Sequence, residues 1–232
     1  MRSIAIVSCA AALAFGAVGS GARAASTALD TLLVPAVHAD ETFRYTALDR
    51  LSGAVVHTHS EQIVYRILSA KDGDVSFQRE IPGKGKSVFE RDASGNLAVG
   101  PNGKSGIAFF VPRQLLGDPP NPLAVGQSWQ VRLARETALG SPGTASLTVV
   151  SIDPSSKHVV LRGSMVGEGD DSQMAPGDTT PTRFHTVTKR QATIELTNGI
   201  VDSFLVTGDD KQSANGSTPI SVHVELSVKR TR

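Results

Sequence analysis

The stretch Ile220-Ser221-Val222-His223-Val224-Glu225-Leu226-Ser227-Val228-Lys229 decides the fold class, because apolar and polar residues alternate along it with a period of two. Successive side chains of a β-strand point to opposite faces, so a strand places all five apolar residues on one face. An α-helix would scatter the same residues around its circumference. The alternation therefore predicts a half-buried strand with the core on one side.

Turn signals predict that such strands follow one another as antiparallel hairpins. Asn198-Gly199 lies between the strand-like stretches Phe184–Leu196 and Ile200–Val206. Asn-Gly is the strongest two-residue hairpin signal, because both turn positions require a positive φ. Ser94-Gly95-Asn96 and Asp72-Gly73 indicate two further tight turns.

The strand pattern also occurs twice. Trp129 opens a strand 86 residues after Phe43 does, and the two series of strands that follow have similar spacing. We therefore predict an internal duplication of a β-meander, with one copy at residues 25–111 and a second at 126–232. The alternative is that the two halves share only the regular spacing found in any β-meander, without a duplication.

Residues 112–125 contain Pro119, Pro120 and Pro122 and predict a stiff extended connector. The polar stretch Gly167–Thr182 predicts a mobile surface loop.

Together these patterns predict an all-β antiparallel meander of about ten strands, curved into an open or closed barrel. That arrangement resembles the exported half-barrel carriers that shield lipid or lipopeptide chains in the periplasm, and also many exported β-rich proteins of bacteria. The resemblance implies an apolar ligand on the inward faces of the strands. The residues expected there are Phe43, Tyr45, Trp129, Val131, Leu205 and Val222.

Residues 1–24 resemble a cleavable signal peptide. Arg2 supplies a basic start, Ile4–Val18 is apolar and uncharged, and Ala22-Arg23-Ala24 provides small residues for signal peptidase. The apolar run is about 15 residues long, shorter than the roughly 20 that a membrane span requires. We therefore expect a periplasmic or secreted bacterial protein that begins at Ala25 and has no transmembrane span after cleavage.

Composition narrows the classes of partner. Cys9 lies within the predicted signal peptide, so the mature chain would contain no disulfide and no cysteine metal site. The signal also holds two of the 23 Lys and Arg residues and none of the 22 Asp and Glu residues, which leaves a net charge of −1. Because the charges are scattered, we expect neither nucleic acid nor an anionic membrane as the main partner.

His57-Thr58-His59-Ser60-Glu61 is the sharpest local candidate for chemistry. On a strand, His57, His59 and Glu61 share one face, with about 7 Å between alternate residues. Two imidazoles and a carboxylate are ligands that a divalent metal accepts, given one more from another strand. A solvated strand end is the alternative, because Tyr65 continues the same face towards the core. The candidates for the additional ligand are His158, His185 and His223.

Three functional hypotheses follow. The first is a non-enzymatic periplasmic protein that binds an apolar small molecule, a lipid or an envelope protein. The second is a metal-binding protein or metal-dependent enzyme that uses His57, His59 and Glu61; a divalent metal is the one cofactor that the sequence suggests. The third is a structural envelope protein with a solid core and no small ligand.

Overall fold

A computed structural model describes residues 32–54, 56–98, 109–133, 143–173 and 180–231, so the predicted signal peptide at 1–24 lies outside the described residues. Within these ranges the chain is nearly all β-sheet, with one short helix, α1, at Arg113–Leu116. No described helix has the length and apolar character needed to cross a membrane. The strands are β1 Thr42–Gly53, β2 His57–Lys71, β3 Asp74–Ile81, β4 Gly85–Arg91, β5 Leu97–Ala98, β6 Ser128–Leu133, β7 Gly143–Asp153, β8 His158–Gln173, β9 Thr182–Thr197, β10 Ile200–Ala214 and β11 Ile220–Thr231.

All described strands belong to one antiparallel sheet in the order β6-β7-β8-β9-β10-β11-β1-β2-β3-β4-β5. Each strand pairs with its neighbours in the chain, except that β5 and β6 form the two edges of the sheet; the first strand also pairs with the last, with Leu48 opposite Ser227. The sheet is curved and not closed, which confirms the predicted all-β meander. The strands of the second predicted copy are therefore followed in the sheet by those of the first, and the duplication itself stays a prediction.

The Asn198-Gly199 hairpin forms as predicted. Asn198 has φ 52° and Gly199 φ 72°, the left-handed conformation that this turn requires. The strands that flank it are longer than expected, because β10 continues to Ala214.

The predicted surface loop at Gly167–Thr182 is wrong at its N-terminal end, where β8 continues to Gln173. Pairing with β9 satisfies the backbone of that polar stretch, so it needs no apolar side chains to form a strand.

A β-bulge changes which residues of β10 face the core. Val201 lies opposite Leu196 and Ser203 opposite Glu195, so one extra residue enters β10 between them. After the bulge Phe204 is buried, whereas Leu205 is 40% exposed. Leu205 therefore lies on the outer face, contrary to the expectation that it points inward.

The core lies on the inner, concave face of the sheet, and the segment after β5 fills it. The ring of Phe109 stacks on Phe43 at 5.2 Å between centroids and meets Phe77 edge-on at 5.1 Å. Phe110 packs against Phe109 at 5.0 Å. Of the other residues expected to face inward, Phe43, Tyr45 and Val131 are buried, and Trp129 and Val222 are half-buried.

The connector between β5 and β6 joins the two free edges of the sheet. The side-chain amide of Gln114 accepts a hydrogen bond from the backbone N–H of Leu97 in β5 and donates one to its carbonyl, each at 3.4 Å. The indole of Trp129 in β6 donates to the carbonyl of Leu116 at 2.6 Å. The connector, predicted as extended, therefore contains α1 and spans the gap where a closed barrel would pair its edges.

The Asn-Gly hairpin allows a test of how the N-terminal segment packs. A Cβ atom at Gly199 would lie 2.3 Å from the carbonyl carbon of Val34, whereas a Cβ at Gly216, with φ 74°, meets nothing within 4 Å. Alanine in the left-handed conformation costs about 1–2 kcal/mol. We expect Gly216→Ala to lose that amount and Gly199→Ala to lose roughly a further 1–3 kcal/mol from the clash, measured by urea unfolding. Equal losses would show that residues 34–35 do not rest on the hairpin.

Candidate functional site

The six central strands extend beyond the core, and we call this extension the distal half: residues 167–173, 182–190, 208–214, 220–225, 49–53 and 57–61 of β8, β9, β10, β11, β1 and β2. Of the described apolar residues that are buried, Val224 alone lies in it. Four of the six histidines of the chain lie there, namely His57, His59, His185 and His223. The distal half therefore carries polar chemistry on a sheet with little apolar burial.

On β2 the structure brings the predicted triplet to one face and adds a lysine. The ammonium of Lys84, from the β3–β4 turn, lies 2.6 Å from Glu61 Oε2 and 3.1 Å from His59 Nε2. His59 Nε2 and Glu61 Oε2 are 3.3 Å apart. The ring of His57 lies nearly parallel to that of His59, at 6.3 Å between centroids. Strand alternation thus predicted the shared face correctly, and the lysine comes from a turn that it could not predict.

The three histidines considered as additional ligands lie elsewhere. His158 begins β8 opposite Asp153, at the other end of that strand from the distal half. His185 contacts Asp170 and His223 contacts Asp209, each at 2.9 Å, on the outer face. In the part of the chain that the structure describes, no three His, Cys, Asp or Glu side chains converge in a way that would hold a metal.

The pKa values of two carboxylates in or near the triplet are shifted in opposite directions, because burial and neighbouring charge balance differently at each. Burial disfavours ionisation of Glu61, but hydrogen bonds and charge from Lys84 and His59 outweigh it and hold its pKa below the usual value. Asp49 lies opposite His59 on β1, and its Oδ1 is buried without a hydrogen-bond partner. Burial raises the pKa of Asp49, and the charges of His57, His59 and Arg190 offset that rise only in part.

A buried ion pair between β9 and β10 lies on the same inner face. The guanidinium of Arg190 donates to both carboxylate oxygens of Asp210, at 3.2 and 2.6 Å, and its side chain is 7% exposed. Gly208 makes room for it, since a Cβ atom there would lie 2.8 Å from Arg190 Cγ. Neighbouring Thr188 is fully buried, and its hydroxyl has no partner.

The tips of β8, β9 and β10 form an open groove of about 950 Å³. The turn that closes it is held by two hydrogen bonds, from the Asn215 N–H to the Arg183 carbonyl at 2.7 Å and from the Arg183 N–H to Asn215 Oδ1 at 2.9 Å. Asn215-Gly216 is the same turn signal as the predicted hairpin, so the sequence could have located this turn. The groove residues are Asp170, Ser172, Arg183, Phe184, His185, Ser213, Asn215 and Gly216.

On the inner face of the sheet, the described residues border a much smaller cavity than this groove. A cavity of about 40 Å³ lies beside the connector, bordered by Val111, Gly163, Met165, Arg190 and Phe204 among others. That volume admits a water molecule and not a lipid chain. None of the six residues expected to line a ligand cavity borders it.

The buried ion pair gives a prediction about stability. Asp210→Ala would leave the guanidinium of Arg190 buried and unpaired, which costs about 3 kcal/mol or more. The matched control is Glu80→Ala, which breaks an exposed pair with Lys86 (3.0 Å) worth less than about 1 kcal/mol. Urea unfolding of both variants measures the difference. Similar small losses would mean that solvent reaches Arg190.

The pKa of Glu61 gives a prediction about pH. Because this pKa is lowered in the folded protein, the stabilisation from the Lys84 contact is present at neutral pH and lost as the pH falls through the folded-state pKa. We expect Lys84→Met to raise the midpoint of Glu61, followed by carboxyl-carbon NMR between pH 2 and 7. An unchanged midpoint would show that Lys84 does not hold the carboxylate.

Comparison with known proteins identifies no family. No protein-family model matches the chain, and no curated protein is similar to it. Among solved structures, a MaoC-like dehydratase aligns at 8% identity over 83% of this chain and 77% of its own, with a TM-score of 0.12. A TM-score that low carries no argument about fold or function.

Proposed function

We propose that this chain is an exported, non-enzymatic protein that binds a polar segment of an envelope partner in the groove of its distal half. Of the hypotheses that the sequence allows, this one combines the expected export with an open groove that the described residues form. The observation that carries it is the contrast between an open groove of about 950 Å³ and an interior cavity of about 40 Å³.

The filled interior counts against an apolar cargo. Binding sites for small molecules enclose about 300–1,000 Å³, many times the volume left beside the connector. Phe109 takes the central position on the inner face, in contact with Phe43, Tyr65 and Phe77. A lipid carrier of this fold would have to displace that aromatic cluster before it could admit its ligand.

The groove has the size and the chemistry for a polar segment. Its residues offer a guanidinium at Arg183, a carboxylate at Asp170, an imidazole at His185 and an amide at Asn215. Phe184, half-buried, adds one apolar surface to this polar set. A few convergent polar groups around an aromatic ring are typical of specific binding sites. The two hydrogen bonds between Arg183 and Asn215 fix the turn that closes the groove before a partner arrives.

The experiment is site-specific photo-crosslinking in the native cells. A photoreactive phenylalanine replaces Ser213 in the groove, and the control replaces Ser151, an exposed residue of β7 outside it. We expect one discrete adduct from position 213 and none from position 151. Adding Arg183→Ala or Phe184→Ala should abolish the adduct without changing the urea midpoint of the protein.

Other outcomes would overturn the proposal. An adduct that survives both groove substitutions, or that forms equally from position 151, would place the partner elsewhere. Native mass spectrometry of the purified protein adds a second readout. A bound mass that organic solvent extracts would favour the apolar carrier, and the absence of any adduct in cells would favour a structural protein.

A further inference from the structure

An ammonium group takes the position on β2 where a divalent metal would sit. Lys84 Nζ lies at 2.6 Å from Glu61 Oε2 and 3.1 Å from His59 Nε2, so a carboxylate oxygen and a ring nitrogen both lie beside one cation. Metal–ligand distances for zinc are shorter, about 2.0–2.2 Å, and a carboxylate oxygen and an unprotonated ring nitrogen are ligands that zinc accepts. The cluster is therefore already arranged as a cation site, with a cation supplied by the chain itself.

We propose that a borderline divalent ion such as Zn²⁺ replaces the Lys84 ammonium at this site. His59 and Glu61 would be its first ligands, and His57 and Asp49 the next groups to reach it. Imidazole nitrogen and carboxylate oxygen are the ligands that zinc takes in proteins that bind it without cysteine. The site is separate from the groove, and the inference stands whether or not the groove binds a partner.

A buried oxygen of Asp49 also favours a cation site, independently of the Lys84 contacts. Its Oδ1 is buried and accepts no hydrogen bond, although it lies opposite His59 in the register of β1 and β2. A buried acceptor without a donor costs free energy, and binding of an ion is one of the recognised roles for such an atom. A cation held between β1 and β2 would satisfy this oxygen once the Asp49 side chain turns towards it.

The side chain of Lys84 has room to rotate away from Glu61 and His59. It lies in the turn between β3 and β4, flanked by Gly83 with φ 78° and Gly85 with φ 101°. Neither glycine has an atom within 4 Å of its would-be Cβ, and the lysine side chain is 55% exposed. The Lys84 N–H bonds the Ile81 carbonyl, so the turn stays in place while the side chain rotates.

Exchange also requires the ligands to move. As the side chains stand, no three His, Asp or Glu groups of the described residues converge on one point. A metal must therefore both displace the ammonium and draw in Asp49 or His57 by a rotamer change. It follows that Lys84 is a competitor, and that removing it should tighten metal binding, whereas removal of a surface lysine normally leaves metal affinity unchanged.

The test is isothermal titration of the purified full-length protein with ZnCl₂ at pH 7.5. We expect Lys84→Met to bind one Zn²⁺ at least about tenfold more tightly than the unsubstituted chain. Lys86→Met is the matched control, because Lys86 is an equally exposed lysine, 57% against 55%, that pairs with Glu80 and not with the histidines. Its affinity should equal that of the unsubstituted chain.

A second variant identifies the ligands. Adding His59→Gln to Lys84→Met should weaken Zn²⁺ binding by about tenfold or more, and Co²⁺ should broaden the NMR signals of His57 and His59 before those of His185. The proposal is overturned if Lys84→Met binds no Zn²⁺, if Lys86→Met tightens binding equally, or if His59→Gln leaves the affinity unchanged. Circular dichroism of each variant shows that the sheet is intact.

Discussion

The contact of Phe109 with the inner face of the sheet is the interaction on which the rest of the structure depends. A meander whose first and last strands pair in its middle leaves two free edges, β5 and β6, and a concave apolar face open to water. The segment from Phe109 to the start of β6 covers this face and contacts both edges. Phe109 and Phe110 pack on the inner face, Gln114 bonds to β5, and Leu116 accepts a hydrogen bond from Trp129 in β6. This segment therefore supplies core side chains and also contacts with the two edges of the open sheet, which leaves neither edge strand without a neighbour.

Sequence periodicity predicted the sheet correctly where the backbone preference of the residues and their pattern of burial indicate the same structure. The alternation of β11 and the Asn198-Gly199 turn each have one physical solution, a half-buried strand and a two-residue hairpin. It failed at Leu205 because a single extra residue between Val201 and Ser203 reverses the faces of everything after it. A bulge depends on the partner strand, so the sequence of β10 alone does not contain the information. The continuation of β8 to Gln173 was missed for a similar reason, since its stability comes from β9 and not from its own side chains.

The candidate sites, too, could be predicted from the sequence only in part. His57, His59 and Glu61 share a face because they lie on one strand, and that much followed from spacing. The groups that decide their chemistry, Lys84 and Asp49, come from a turn and from the neighbouring strand, and they meet the histidines through the register of three strands. The groove at Asn215 needs the tips of β8, β9 and β10 together. No pattern within one segment reports such convergence, although the second Asn-Gly pair indicated where one wall of the groove would turn.

The polar character of the distal half follows from the way the core is built. Phe109 and Phe110 cover the proximal part of the inner face, and little described apolar burial stabilises the strands beyond it. Those strands are held instead by ladder hydrogen bonds and by cross-strand pairs such as His223 with Asp209 and Arg190 with Asp210. Each exposed pair contributes little, so this part of the sheet opens at a lower free energy than the core. Because Val224 is the one described apolar residue that is buried in the distal half, its polar side chains face one another or solvent, and the groove and the His59–Glu61 pair both lie there.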